Sequence, residues 1–263
     1  MIDRPESTQG KERHVQYVAQ RYPAWYVELC LPITLALAAY NWADAEAGMR
    51  RAKVEQAKME PEPKEGLELV LATQRFFLAL HRDGSDDGRE LWPGLRERLV
   101  KPPAHPIYEP LRIRQFIIHR CRAAQQGWEP LALAEVNDLL AELEPSERNQ
   151  YLWHELAMHA YCREWDGLLQ QAYSELSMCN DGLMGNWFYH HSRLMLRLRA
   201  GTAQRQDLEA TLSALRFTSQ TTDLRETVLP VLQERGWLSI EQLESIADRL
   251  QLTPTVSVAD LLK

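Results

Sequence analysis

The chain has 263 residues and a net charge of −7, with 45% hydrophobic and 25% charged residues. That balance is ordinary for a globular protein, and the length suits one large domain or two packed helical halves. The acidic total argues against a protein built to coat nucleic acid. The four cysteines, Cys30, Cys121, Cys162 and Cys179, form no C-x-x-C pair, and residues 1–22 are polar and highly charged. No disulfide framework and no signal peptide is read there, which predicts reduced, mostly buried thiols and a cytoplasmic location. Ala, Leu, Glu, Gln and Arg dominate, glycines number only 12, and the eight tryptophans are read as filler between packed helices.

In chain order, residues 1–11 have little to bury, and a helical pattern with Val15, Val18 and Ala19 follows until Pro23. A long apolar helix is predicted from about Ala24 to Met59, bent or split at Pro32. Its apolar run, Leu29 to Tyr40, falls short of the about 20 residues a bilayer span needs, so it reads as a core helix. Residues 59–66 (MEPEPKEG) are predicted as a loop, Leu67 to Leu80 as a helix, Arg82 to Gly88 as a loop and Arg89 to Val100 as a short helix. Four prolines between Lys101 and Pro110 mark the expected boundary between an N-terminal helical region (1–100) and a second region (111–263).

The second region places apolar residues at matching helical steps. Trp153, Leu156, Ala157, Ala160 and Tyr161 make one face, and Trp187, His190, His191, Leu194 and Met195 repeat its spacing. The second helix of each pair carries Val136–Leu143, Leu169–Leu176 and Leu208–Leu215. Three hairpins follow: 111–126 with 131–143, 147–162 with 165–178, and 186–200 with 206–217. Closing helices are predicted at 222–235 and 240–250, with Ser239 and Gln242 as a capping box. A short amphipathic piece is read over Val256 to Leu262. Trp128 and Trp165 both stand at the junction inside a pair. This pattern, over about residues 110–217, resembles the tetratricopeptide-like (TPR-like) superfamily of helical hairpin repeats. The resemblance rests on period and pairing; Leu168 stands where that family favours alanine. It implies an α-solenoid scaffold that binds other proteins.

Motifs for chemistry are few. His154 and His159 stand five apart, about 140° around a helix of 3.6 residues per turn, so they do not form a zinc-protease pair. A looser cluster of His159, Cys162, His190 and His191 has suitable ligand types for zinc and carries the alternative reading of a metalloprotein or enzyme. The repeat positions of His190 and His191, equivalent to Leu156 and Ala157, favour packed interior residues instead. Asp83-Gly-Ser-Asp-Asp87-Gly88 imitates the start of a calcium loop but has Gly94 where the bidentate acid belongs. No nucleophile elbow, P-loop or dinucleotide fingerprint is present.

Charge is segregated more sharply. Residues 129–181 hold eleven acids against two bases, Arg148 and Arg163, whereas 89–122 hold eight bases against three acids. Glu135, Asp138 and Glu142 fall at i, i+3 and i+7, on a ridge away from the apolar face of their helix. The sequence therefore predicts an all-α protein, an N-terminal helical bundle packed on an array of antiparallel helical hairpins. Its expected role is that of a non-catalytic protein-binding module, without metal or cofactor and without a membrane segment. Glu135, Asp138 and Glu142 are its expected contacts to a basic protein partner. Two roles fit: an adaptor or chaperone, or an antitoxin-like inhibitor. The N-terminal half, with Trp25, Tyr26, Leu35, Tyr40 and Trp42, has the general look of the helical immunity proteins that bacteria set against secreted toxins. A third reading, nucleic-acid binding through Arg112, Arg114, Arg120 and Arg122, competes with pairing of those arginines to the acidic neighbours.

Overall fold

A computed structural model describes residues 22–83, 85–178 and 182–251. Among these the chain forms thirteen α-helices and no strand. They are α1 (Leu31–Ala38), α2 (Trp42–Gln56), α3 (Pro61–Leu78), α4 (Ser85–Val100), α5 (Glu109–Gln125), α6 (Leu133–Ala141) and α7 (Gln150–Cys162). α8 (Asp166–Met178), α9 (Gly182–Arg199), α10 (Arg205–Ser213), α11 (Ser219–Thr227), α12 (Leu229–Glu234) and α13 (Ile240–Gln251) complete the set. No described helix is long and apolar enough to cross a membrane. The patterns read at 12–22 and 256–262 lie outside the described residues, or nearly so for the first.

Two compact units result. One contains Tyr22–Leu37 and Asn41–Leu152; the other contains Ala38–Tyr40 and the chain from Trp153 onward. The division thus falls within α7. The proline segment expected to be the boundary lies inside the first unit, where α4 and α5 pack on each other across it.

The predicted 24–59 helix is broken at Tyr40, not at Pro32. A π-helical turn, Tyr26–Cys30, runs directly into α1, so Pro32 sits at the start of a new hydrogen-bonding register and is tolerated there. Tyr40 adopts a left-handed conformation (φ 56°), and Asn41 caps α2 by accepting from the Asp44 N–H at 3.3 Å. α2 meets α1 along a small-residue stripe of Ala45, Gly48 and Ala52. A Cβ on Gly48 would stand 2.7 Å from Ile33 Cγ1. The predicted loop 59–66 is shorter than expected. Pro61 and Pro63 fall in the first turn of α3, where a missing N–H costs nothing. The core between α3, α4 and α5 is built around Phe76, which meets Trp92 at 5.9 Å, His119 edge-on at 5.2 Å and Trp128 edge-on at 6.0 Å.

Elements from α5 to α13 fall close to the predicted helices, with 222–235 divided into α11 and α12. Both arms of the capping box form: the Ser239 N–H donates to Gln242 Oε1 at 2.9 Å, and the Gln242 N–H to Ser239 Oγ at 3.3 Å. Four helices end in one geometry. Gly127, Glu164, Gly201 and Gly236 have φ between 58° and 71°. The next N–H reaches back five residues in each case: Trp128 to Ala123, Trp165 to Ala160, Thr202 to Arg197 and Trp237 to Leu232, at 2.9–3.0 Å. This is the Schellman closure, which satisfies carbonyls the helix end leaves open. Its final residues, 128, 165, 202 and 237, are spaced by 37, 37 and 35.

Candidate functional site

α6 is short and amphipathic. Val136 and Leu140 are buried, whereas Ala134, Glu135, Asn137, Asp138, Ala141 and Glu142 are exposed. The ridge read from the sequence is therefore on the surface, but its three acids differ. Glu135 lies in the first turn, where an acid suits the helix dipole, and it is bound by the Arg120 guanidinium. Asp138 and Glu142 form no ion pair among the described residues. Glu142 is also the C-cap of α6, where the partial negative charge of the helix end opposes a carboxylate by about 0.3–1 kcal/mol. Its own helix gains nothing from that charge. Glu144, just beyond, is exposed and likewise without an ion pair.

The neighbouring charges are consumed internally. Arg120, only 6% exposed, holds both Glu129 (3.1 Å) and Glu135, and Arg96 also approaches Glu129 at 3.4 Å. Arg112 is buried on Glu109 and the Leu99 carbonyl, and Arg114 donates to the Glu147 carbonyl at 2.8 Å. Arg122 lies over the Phe77 ring at 5.2 Å. The arginines considered for nucleic acid are thus occupied by protein groups. Arg148, one of two bases in the acidic block, is tied to the Leu143 carbonyl at 2.8 and 3.1 Å. Arg199 binds Glu164 and Asp166 at 2.9 and 3.1 Å. What remains uncompensated on α6 is its C-terminal end.

The second unit treats polar groups differently. From Leu152 to Ala160 every residue of α7 is buried; Leu, Trp, Ala and Met occupy several sides of the helix, as an interior helix requires, and His154, Glu155 and His159 are buried with them. His154 Nε2 lies 3.0 Å from His191 Nδ1, and His191 Nε2 lies 3.0 Å from Thr227 Oγ1. The Thr227 hydroxyl donates to the Asp223 carbonyl at 2.6 Å. That carbonyl only accepts, so the whole chain has one polarity: His191 donates from Nε2 to Thr227, and His154 donates from Nε2 to His191 Nδ1. His191 stacks on Trp187 at 4.8 Å and His154 on Phe188 at 4.3 Å. Burial presses the His191 imidazole down to about 3.

The proposed metal ligands do not converge. Among the described residues no group of three His, Cys, Asp or Glu side chains is placed to hold a metal ion. Both ring nitrogens of His191 are already bonded, Cys162 is exposed with Sγ 3.8 Å from the Glu226 carbonyl, and His190 is half-buried on another side of α9. His159 is fully buried beside Trp165, with neither ring nitrogen hydrogen-bonded, and burial, then Arg163, lowers it to about 4. The calcium-loop reading fails at its second half, because Asp86, Asp87 and Gly88 belong to the first turn of α4. Sequence reasoning missed the His154–His191 pair, since the two lie on different helices; the shared Trp at 153 and 187, each just before a histidine-bearing turn, was the available signal. No known protein family, curated protein or solved structure matches the chain.

Proposed function

We propose that this chain is a non-catalytic protein-binding module whose acidic surface on α6 receives a basic protein partner. The observation that carries the reading is selective neutralisation. Nearby acids that meet an arginine are bound by it, whereas Asp138 and Glu142 stay exposed and unpaired, one of them against its own helix dipole. Small exposed neighbours, Ala134 and Ala141, leave room for close approach of another chain. An uncompensated field of this kind speeds encounter with a basic surface and fixes orientation.

The recurring helix closures at steps of 37, 37 and 35 residues support reading the chain from α5 onward as degenerate helical hairpin repeats of TPR-like character. On that reading the protein is an adaptor or chaperone, or an immunity-type inhibitor that covers a basic toxin surface in a bacterial cytoplasm. Tagged protein used as bait in lysate of its source organism, at low and high salt, tests this. The expected result is one dominant basic protein, lost at high salt and lost when Asp138 and Glu142 are changed to lysine. Retention of the same partner by that variant at low salt overturns the assignment.

A further inference from the structure

α9 carries a polar stripe beside its apolar face. Tyr189, Arg193 and Arg197 stand at i, i+4 and i+8, and all three are half-buried. The burial comes from α8 and α10, which both pack on α9. From α8, Tyr173 stacks on Tyr189 with ring centroids 5.8 Å apart. From α10, Asp207 is buried in the first turn and takes both arginines on one oxygen. Its Oδ1 lies 2.7 Å from Arg197 Nη1 and 3.2 Å from Arg193 Nη2. Its Oδ2 accepts the Gln204 N–H at 2.9 Å.

The charge of this cluster does not close. Residues 182–205 hold four bases and no acid. Arg199, farther along the same helix, meets two carboxylates, Glu164 and Asp166. Arg193 and Arg197 share one carboxylate and form no other ion pair among the described residues. Like charges four residues apart on a helix repel, and more so where water is partly excluded. Each guanidinium has five N–H donors, so most are left over after one shared oxygen. The Tyr173 phenol adds a hydroxyl at the same place. Burial and then Tyr189 hold it above the usual phenol range, while Arg193 and Arg197 draw it down, so it stays protonated beside both cations. What results is a half-buried surplus of one positive charge, fixed by a buried acid whose two oxygens are already occupied.

We propose that the Tyr173–Arg193–Arg197 cluster is an oxyanion site that takes a phosphate group. Guanidinium forks match phosphate oxygens in geometry. A phosphate offers three or four acceptor oxygens to two guanidiniums and a phenol, where a carboxylate offers two. Asp207 is the positioning residue: convergence of both forks on its Oδ1 holds them together. Inorganic phosphate and a phosphate monoester share this chemistry. The site belongs to the second unit and does not depend on the α6 surface, which belongs to the first.

Calorimetric titration of the full chain with inorganic phosphate, phenyl phosphate and acetate, at constant ionic strength, tests the proposal. Phosphate is expected to bind, and acetate to bind about tenfold more weakly or worse. The order of the two phosphates separates the sources: tighter phenyl phosphate identifies an ester, tighter inorganic phosphate the free ion. Arg193→Gln leaves the Arg197–Asp207 hydrogen bond in place and is expected to weaken phosphate about tenfold or more, the scale of one charge-assisted hydrogen bond. Tyr173→Phe keeps the ring stack and removes the hydroxyl, an expected loss of about threefold to tenfold, which decides the matter if Arg193→Gln melts lower than the parent protein. Arg205→Gln removes an exposed cation of α10 that pairs with Glu209, and is expected to leave affinity within about twofold. No binding of phosphate at millimolar concentration, or equal binding of phosphate and acetate, overturns the proposal. So does a loss in Arg205→Gln as large as that in Arg193→Gln, because a general positive field would then suffice. Affinity that survives both Arg193→Gln and Tyr173→Phe overturns it too.

Discussion

α6 and α7 are consecutive in the chain and opposite in how they use polar residues. α6 leaves its C-terminal acids unpaired and exposed, whereas α7 buries His154, Glu155 and His159, wiring His154 into a hydrogen-bonded chain. The difference separates charge that holds the fold from charge that is left for a partner. A buried polar group must find its partners inside the protein or be held neutral, because leaving it unpaired costs about 1–3 kcal/mol. An exposed acid has no such constraint, so its lack of a partner is informative only where bases stand close by and are taken up by other groups, as Arg120 and Arg148 are.

Acid is the strongest way to break this contrast. His119, His159 and His191 are buried and resist protonation, His119 well below the ordinary range through burial and then Arg122. In the unfolded chain imidazoles titrate near 6.5, so between about pH 6.5 and 4 the unfolded state binds more protons and stability falls with falling pH. The three together are expected to cost about 4 kcal/mol between pH 7.5 and 5.5, read as a lower denaturant midpoint. A midpoint unchanged over that range would contradict the buried, neutral imidazoles.

Smaller effects follow in order. Asp207 is 5% exposed and bound by Arg197 (2.7 Å), Arg193 (3.2 Å) and the Gln204 N–H. Burial alone would raise its carboxyl, but these contacts hold it below the usual range. Asp207→Asn is expected to cost about 3 kcal/mol by leaving half-buried cations short of a partner. His191→Leu keeps volume but strands the His154 N–H and removes the donor to Thr227, an expected loss of about 2 kcal/mol by equilibrium unfolding. Glu164→Gly should raise stability by about 0.5–1 kcal/mol, because glycine adopts the left-handed closure without strain and the lost Arg199 pair is exposed. A fall in stability would show that the Glu164–Arg199 pair outweighs backbone strain.

Much of the helix order was legible because apolar spacing at 3.6 residues survives in each element after Pro110. Punctuation misled where proline or glycine had a role inside a helix. Pro61 and Pro63 read as a loop, yet fit a first turn that needs no N–H; Asp86 to Gly88 read as a loop, yet begin α4. The break at Tyr40 was missed because a left-handed tyrosine leaves no compositional trace; Asn41 as a cap was the only hint. The exposure of Glu135, Asp138 and Glu142 followed from helical phase, but phase alone did not show that Arg120, fifteen residues earlier, takes up Glu135. An open cleft lined by α2, α3 and α4 was invisible for the same reason: its residues come from three helices whose adjacency is a property of packing, not of spacing along the chain.

The most direct measurement compares two variants, Asp138→Lys with Glu142→Lys, and Glu135→Lys alone, scoring thermal stability and partner retention together. The account predicts that the double variant melts with the parent protein and loses its partner, while Glu135→Lys melts lower because it places a cation against the buried Arg120. A double variant that melts lower, or that keeps its partner at low salt, would contradict the claim that these two acids are surplus to the fold and reserved for binding.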